Sequence, residues 1–321
     1  MTVRVVDLFS GCGGMSLGFQ NAGFGVVAAF DNWNPAVKTY QQNFNHPIHD
    51  TDLSVANTEI IQQYKPDLII GGPPCQDFSS AGKRNEDLGR ADLTLRFAKL
   101  IQQIMPEHFI MENVDLAQKS KAYQNAKFVL EKSGYKIKEI VLNAAYCGVP
   151  QRRKRFFVFG DLETRNGDVL EFINKQLAIK EMTVRDYYLQ TFEKSPDFEH
   201  YYRHPRSYAR RAIFSVDEPS PTIRGVNRPV PSTYKLHPGD AVQNLQDVRP
   251  LTTKERAILQ TFPTNFAFLG NKSEVEQMLG NAVPVKMAEF IARAFQHYLN
   301  ETRVIPKHQQ TRVQPSQPAL F

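Results

Sequence analysis

The stretch Val3-Arg4-Val5-Val6-Asp7-Leu8-Phe9-Ser10-Gly11-Cys12-Gly13-Gly14-Met15 runs from alternating apolar residues into three glycines and on toward an apolar segment. A strand, a glycine-rich turn and a helix in that order bring backbone close to a ligand beneath a helix N-terminus, the opening unit of a doubly wound α/β sheet. Such turns also serve merely to join a strand tightly to a helix, and the register departs from the dinucleotide fingerprint. After Gly11 and Gly13 the third position is Ser16, with Gly18 two residues late. The next strand ends in Phe30-Asp31-Asn32, which places a carboxylate where such folds use an acid on ribose hydroxyls. A further acid, Asp52, follows near the same edge.

Outward from this unit, short apolar runs alternate with amphipathic stretches to about residue 160. Strands are predicted at 3–9, 26–30, 68–71, 109–111, 137–142 and 155–159, and helices at 15–21, 35–43, 93–104 and 122–132. The expected fold is a doubly wound, mostly parallel α/β domain, Rossmann-like, with a second, smaller irregular domain. From residue 161 to 250 the alternation is lost among Pro, Tyr, Arg and Asp. Helical patterning returns at 252–260 and at 285–299, where Val285, Ala288, Ile291, Ala292 and Phe295 form one stripe. The first domain is therefore expected at 1–160, completed by 264–299, the second at 161–263, and a frayed tail at 300–321.

The chain has 321 residues, 41% of them hydrophobic, enough for a substantial core. Three widely spaced cysteines, Cys12, Cys75 and Cys147, fit neither a disulfide framework nor a metal site and suit a reducing cytoplasm. No secretory signal is visible, and no run approaches the 18 or so uncharged apolar residues of a membrane span. The net charge of +6 is mild, but basic residues gather at 149–155 and 203–211. Either run suits a polyanion or is simply a solvated face.

At Leu68-Ile-Ile-Gly-Gly72-Pro-Pro-Cys75-Gln-Asp-Phe-Ser79 a predicted strand ends in two glycines, two prolines and a cysteine. The prolines stiffen the approach to Cys75, which stands at the sheet edge where ligands bind, among polar neighbours that disfavour a buried structural thiol. Glu112, after the next core strand, is either a helix cap or a functional carboxylate in the same crevice. Arg153 and Arg155, at alternate positions entering Phe156-Phe-Val-Phe159, are expected on one face, aimed at one anion or a base edge.

With these residues the chain resembles the DNA (cytosine-5-)-methyltransferases of bacterial restriction-modification systems. The resemblance rests on Asp7-Leu-Phe-Ser-Gly-Cys-Gly-Gly14, Gly72-Pro-Pro-Cys75-Gln, Glu112-Asn-Val114, Gln151-Arg-Arg-Lys-Arg155 and Gly280-Asn-Ala-Val-Pro284, in that order over almost the whole chain. It implies methyl transfer from S-adenosylmethionine to carbon 5 of a cytosine flipped out of double-stranded DNA, with no metal. It gives covalent addition at carbon 6 to Cys75 and the hydrogen bond to ring nitrogen 3 to Glu112. Arg155 then contacts the cytosine carbonyl oxygen, and Arg153 completes the catalytic set as a phosphate or loop contact. For the cofactor it implies Phe9, Gly11, Gly14, Asp31, Asn32, Asp52, Leu53, Pro74, Asn281 and Val283, with Asp31 standing where the family more often has Glu.

Region 161–250 then becomes the target-recognition part, and Gln151, Thr222, Arg224, Asn227 and Arg228 are the expected DNA contacts. The polar stretch from Gln76 to Arg90 is expected to close as a lid. The resemblance also implies a monomer paired in function with a cognate endonuclease. Three other readings stand beside it. A tRNA methyltransferase on the same scaffold lacks its Cys-Phe-Thr element here, a nicotinamide oxidoreductase is disfavoured by the glycine register, and a degenerate regulator by the presence of every catalytic residue.

Overall fold

A computed structural model describes residues 2–74, 93–205, 207 and 209–304. Cys75 and the expected lid from Gln76 to Arg90 lie outside the described residues. In β1 (Arg4–Leu8) every residue from Val5 to Leu8 is buried, so the strand requires cover on both faces. It leads through α1 (Gly14–Asn21) to β2 (Gly25–Asp31), then through α2 (Asn34–Asn43), β3 (Ile48–Asp50) and the short α3 (Glu59–Gln62) to β4 (Leu68–Gly71). Beyond the gap come α4 (Leu93–Ile104), β5 (His108–Val114), α5 (Lys121–Lys132), β6 (Lys136–Asn143), β7 (Gln151–Arg152) and β8 (Lys154–Asp161).

The sheet order is β3-β2-β1-β4-β5-β8-β6, parallel apart from β8, which runs antiparallel to both β5 and β6. Because β2 and β4 flank β1 on opposite sides, the connections diverge at the carboxyl end of β1 and leave a crevice there. β5 extends past the end of β4: Gly71 pairs with Met111, whereas Glu112, Asn113 and Val114 pair only with Phe157, Phe156 and Arg155 of β8. Glu112 thus lies inside a strand rather than after one, held out at the crevice by an antiparallel partner that the sequence pattern did not reveal.

The rest of the described chain forms α6 (Val169–Gln176), α7 (Val184–Phe192), β9 (His200–Tyr202), β10 (Ile213–Ser215), β11 (Ser220–Pro221), β12 (Arg249–Pro250), α8 (Thr253–Leu259), α9 (Lys272–Asn281) and α10 (Val285–Glu301). One face of the large sheet packs on α1, α6 and α10 through Val5, Met15, Phe19, Ile173, Ile291 and Phe295. The other packs on α4 and α5 through Val6, Leu8, Phe97, Ile101, Tyr123 and Leu130. Each large apolar side chain so enclosed contributes about 1.5–3 kcal/mol of burial free energy.

Three expectations shift. Since Val169 and Ile173 belong to the first core, the catalytic body carries on beyond residue 160. The region expected to be irregular holds α7, capped by the Thr183 hydroxyl, and a three-stranded sheet β10-β9-β12 around Tyr188, Phe198, Tyr201 and Phe214. Its strands are two or three residues long, too short for any periodicity to register. Of the expected tail, the described residues to Val304 are held in place: Arg303 N–H donates to Asn166 Oδ1 at 2.7 Å and Val304 bridges Arg165.

Candidate active site

At the end of β1 the chain turns through Phe9, whose φ of 58° lies in the left-handed region and costs a non-glycine residue about 1–3 kcal/mol. Asp31, closing β2, fixes the turn: its Oδ2 accepts from Gly11 N–H and its Oδ1 from Trp33 N–H, both at 2.8 Å. At Gly14 a Cβ would stand 2.3 Å from the Val283 carbonyl oxygen, so only glycine lets α1 begin against the 280–283 segment. The shorter Asp in the family's acidic position is therefore occupied by backbone donors of the turn itself. Burial raises its pKa, with those N–H groups opposing the shift.

Asp7, 1% exposed, lines the same cleft. Its Oδ2 accepts from the Ser16 hydroxyl at 2.7 Å, and Ser16 accepts from the Tyr40 hydroxyl at 2.7 Å. Tyr40 meets His46 Nε2 at 2.6 Å, and His46 Nδ1 meets Gln20 Nε2 at 3.3 Å. With Tyr40 donating toward Ser16, His46 must donate through Nε2 and accept at Nδ1, so every hydrogen in the chain points toward Asp7. Burial pushes the pKa of His46 down to about 4 and that of Asp7 up to about 7. Among the described residues the buried Oδ1 of Asp7 has no hydrogen-bond partner and is left to accept from a donor in the cleft.

At the other end of the cleft Glu112 and Arg155 are diagonal neighbours across the β5–β8 pair, with Arg155 Nε 2.8 Å from Glu112 Oε1. Burial raises the pKa of Glu112, and the arginine beside it opposes but does not cancel that shift. Asn113 Nδ2 donates to the Pro73 carbonyl at 3.0 Å, tying the Pro73-Pro74 turn to β5. Cys75 follows directly on this turn, outside the described residues. The other two thiols are buried, and burial pushes both up to about 12, which leaves neither a nucleophile near neutrality.

The cleft encloses about 510 Å³. Phe9, Gly11, Gly14, Asp31, Asn32, Asp52, Leu53, Pro74, Asn281 and Val283 all line it, together with Glu112 and Arg155. Asp52 is exposed at its rim, its carboxylate accepting from Ser54 N–H at 2.9 Å. Asp7, Met15 and Trp33 also line the cleft and were missed. For Asp7 a signal existed, a carboxylate inside an otherwise apolar strand; for Met15 and Trp33 nothing separates a wall residue from core.

Elsewhere the structure departs from expectation. Arg153 is fully buried and does not share an anion with Arg155: Nη1 donates to the Ile223 carbonyl at 2.9 Å, and Nη2 to those of Gly280 and Ala282 at 2.9 and 3.0 Å. Of the two expected roles, phosphate or loop contact, its bonds are of the second kind. Gln151, expected at the DNA, is likewise fully buried, bonded to Gln260 Oε1 at 2.8 Å and to Ile223 N–H at 2.9 Å. Asn227 is turned inward to the Leu251 carbonyl at 2.8 Å and to Glu276 at 3.2 Å. The Thr222 hydroxyl donates to the Arg152 carbonyl at 2.9 Å, and Arg224 donates to the His204 carbonyl. Arg228 is exposed.

Residues 3–297 match the model of a protein family described as C-5 cytosine-specific DNA methylase. The chain is 56% identical over 316 residues to the Type II methyltransferase M.HgiDI of Herpetosiphon aurantiacus, covering 98% of this chain and 99% of that one. It is 51% identical over 302 residues to the Type II methyltransferase M.HindV of Haemophilus influenzae, covering 93% and 98%. Among solved structures, a DNA modification methyltransferase encoded in an E. coli prophage superposes with a TM-score of 0.68 at 25% identity, covering 93% of this chain and all of that one.

Proposed function

Because the chain belongs to the C-5 cytosine-specific DNA methylase family and is a DNA cytosine-5 methyltransferase of the Type II kind, we propose that Cys75, Glu112 and Arg155 carry its chemistry and that the cleft at the end of β1 holds S-adenosylmethionine. Carbon 5 of cytosine is a poor nucleophile. Addition of the Cys75 thiolate to carbon 6 makes the ring an enamine with its electrons available at carbon 5, provided ring nitrogen 3 takes a proton or a strong hydrogen bond; after methylation, loss of the carbon-5 proton to a base expels Cys75 and restores the ring. Glu112 supports this role best. Its burial keeps a larger share of carboxylic acid than an exposed glutamate has, and a carboxylic acid can donate. Arg155 holds that carboxyl in place through Nε and donates through Nη1 to the Lys154 carbonyl, which leaves Nη2, at the cleft wall, for the base carbonyl.

S-adenosylmethionine, when bound, supplies the electrophilic methyl group on its sulfonium. The residues present fit it. The unpartnered Oδ1 of Asp7 suits the ammonium of its methionine part. Phe9 and Trp33 give apolar faces for a purine, and Asp31, Asn32 and Asp52 offer polar groups for the nucleoside. Such chemistry requires the target base to leave the helix, with residues 161–263 facing the DNA and Arg228 exposed to meet it. Among the described residues no helix is long and apolar enough to cross a membrane. We place the protein in the cytoplasm as a monomer, paired in function with a cognate endonuclease.

Incubation with unmethylated duplex DNA and tritiated S-adenosylmethionine is expected to label cytosine, and Cys75→Ala to abolish labelling while cofactor binding persists. Full activity in that variant would sink the mechanism. Bisulfite sequencing of DNA from cells making the protein reads out the target base and its context.

A further inference from the structure

We propose that Arg153 is a positioning residue that couples the DNA-facing segment 220–228 to the cofactor wall 280–283, so that DNA and cofactor bind cooperatively through it. The proposal rests on the placement of S-adenosylmethionine in the cleft and on segment 220–228 facing DNA.

The guanidinium is fully buried and, among the described residues, makes no ion pair; its acceptors are three backbone carbonyls from two separate parts of the chain. Ile223 belongs to the segment that follows β11, while Gly280 and Ala282 alternate with Asn281 and Val283 in the cleft wall. The two parts are also in backbone contact, since a Cβ on Gly280 would stand 2.1 Å from the Gly225 nitrogen. Neighbouring side chains repeat the bridge. Gln151 accepts from Ile223 N–H at 2.9 Å and donates to Gln260 Oε1 at 2.8 Å, and Gln260 Nε2 donates to the carbonyls of Leu279 and Ala282. Arg256 donates to the Arg224 carbonyl and is ion-paired with Glu276 of α9.

Nε of this buried cation already lacks a hydrogen-bond partner among the described residues, so losing one of the three carbonyls would leave a further charged donor uncompensated. If DNA docking shifts Ile223, the guanidinium must follow it and carry Gly280 and Ala282 along, or hold all three still. In either case the recognition segment and the cofactor wall move as one body. Ordering one side lowers the cost of ordering the other, and the coupling is reciprocal. Lysine keeps the charge but not the planar fork that spans two segments at once.

The test is calorimetric titration of S-adenosylhomocysteine into the full-length wild type, Arg153→Lys, Thr222→Val and Asp31→Ala, each alone and with saturating unmethylated plasmid DNA. DNA is expected to tighten wild-type binding by about fivefold or more, and Arg153→Lys to cut that factor at least by half, the parallel Gln151–Gln260 and Arg256 links keeping the rest. Thr222→Val removes only the hydroxyl that seats the recognition segment on Arg152, and it should lower the factor part of the way. It decides the matter should the lysine variant lose its cooperative thermal transition. A merely structural Arg153 would lower the melting temperature and leave the factor unchanged. A factor near one in the wild type, or the full wild-type factor in Thr222→Val and any folded Arg153→Lys, overturns the proposal. Asp31→Ala reports separately on where the cofactor lies: it should weaken binding with and without DNA, and wild-type affinity there would move the cofactor elsewhere.

Discussion

Asp7 is the residue whose ionisation has the clearest thermodynamic signature. Its pKa is about 7 when folded against roughly 3.9 when unfolded, so between those values the folded state holds more protons. Stability contributed by this proton is complete below about pH 4 and lost by about pH 7, a fall of up to about 4 kcal/mol. Asp7→Asn should therefore flatten the dependence of the urea midpoint on pH across that window. A cation against Oδ1 favours the carboxylate, so cofactor binding at pH 6.5 should release a proton. Calorimetry in buffers of different ionisation enthalpy would show this for the wild type and not for Asp7→Asn. Glu112→Gln keeps the shape but cannot pass on a proton, and kcat should fall by about 10²–10⁴ while S-adenosylhomocysteine binding holds. At this scale the sequence was legible where a residue's chemistry is local: the acids, the glycines and the Pro-Pro turn lie around one cleft, as their spacing suggested. Arg153 and Gln151 were not legible as interior residues, nor half-buried Asn227 as one turned inward. A charged or amide side chain near a basic run reads as surface, and only the fold shows which carbonyls it meets.

Between elements, the packing of α1 on α10 explains Gly18, the glycine out of register with the dinucleotide fingerprint. A Cβ there would lie 2.4 Å from that of Ala288 and 2.7 Å from the Val285 carbonyl, so the two helices approach through it. Ser16, in the fingerprint's third position, instead donates to Asp7. Gly18→Ala gains up to about 1 kcal/mol of helix propensity but overpacks the contact by about 1–3 kcal/mol. The melting temperature should drop by several degrees, and a rise would show that the helices part easily. The long periodic elements, α4 at 93–104 and α10 with its five-residue stripe, were readable because their apolar faces span several turns. The strand direction of β8 and the pairing of β11 with β7 were not, since an antiparallel insertion leaves the same apolar run as a parallel strand.

Over the whole molecule, the 39 lysines and arginines overstate what is left to meet a phosphate backbone. Arg153 is buried, Arg155 is held by Glu112, Arg211 by Glu218, and Arg185 by Glu199 and Asp217. DNA affinity should still fall linearly in log-log form as salt rises, and Arg228→Ala should make the slope shallower in a filter-binding or anisotropy titration. An unchanged slope would take that residue away from the phosphates. The position of α10 also governs when the protein begins to work. Met287, Ile291 and Phe295 complete the layer that covers Phe19 and Phe24, and Val285 N–H anchors the helix start to the Gln260 carbonyl at 3.1 Å, directly after the cofactor wall. A chain still on the ribosome without this helix holds that layer bare and its cofactor wall unanchored. A chain cut short before α10 is expected to be an aggregation-prone fragment and not a weak methyltransferase, which the soluble yield and DNA-labelling activity of such a truncation would check.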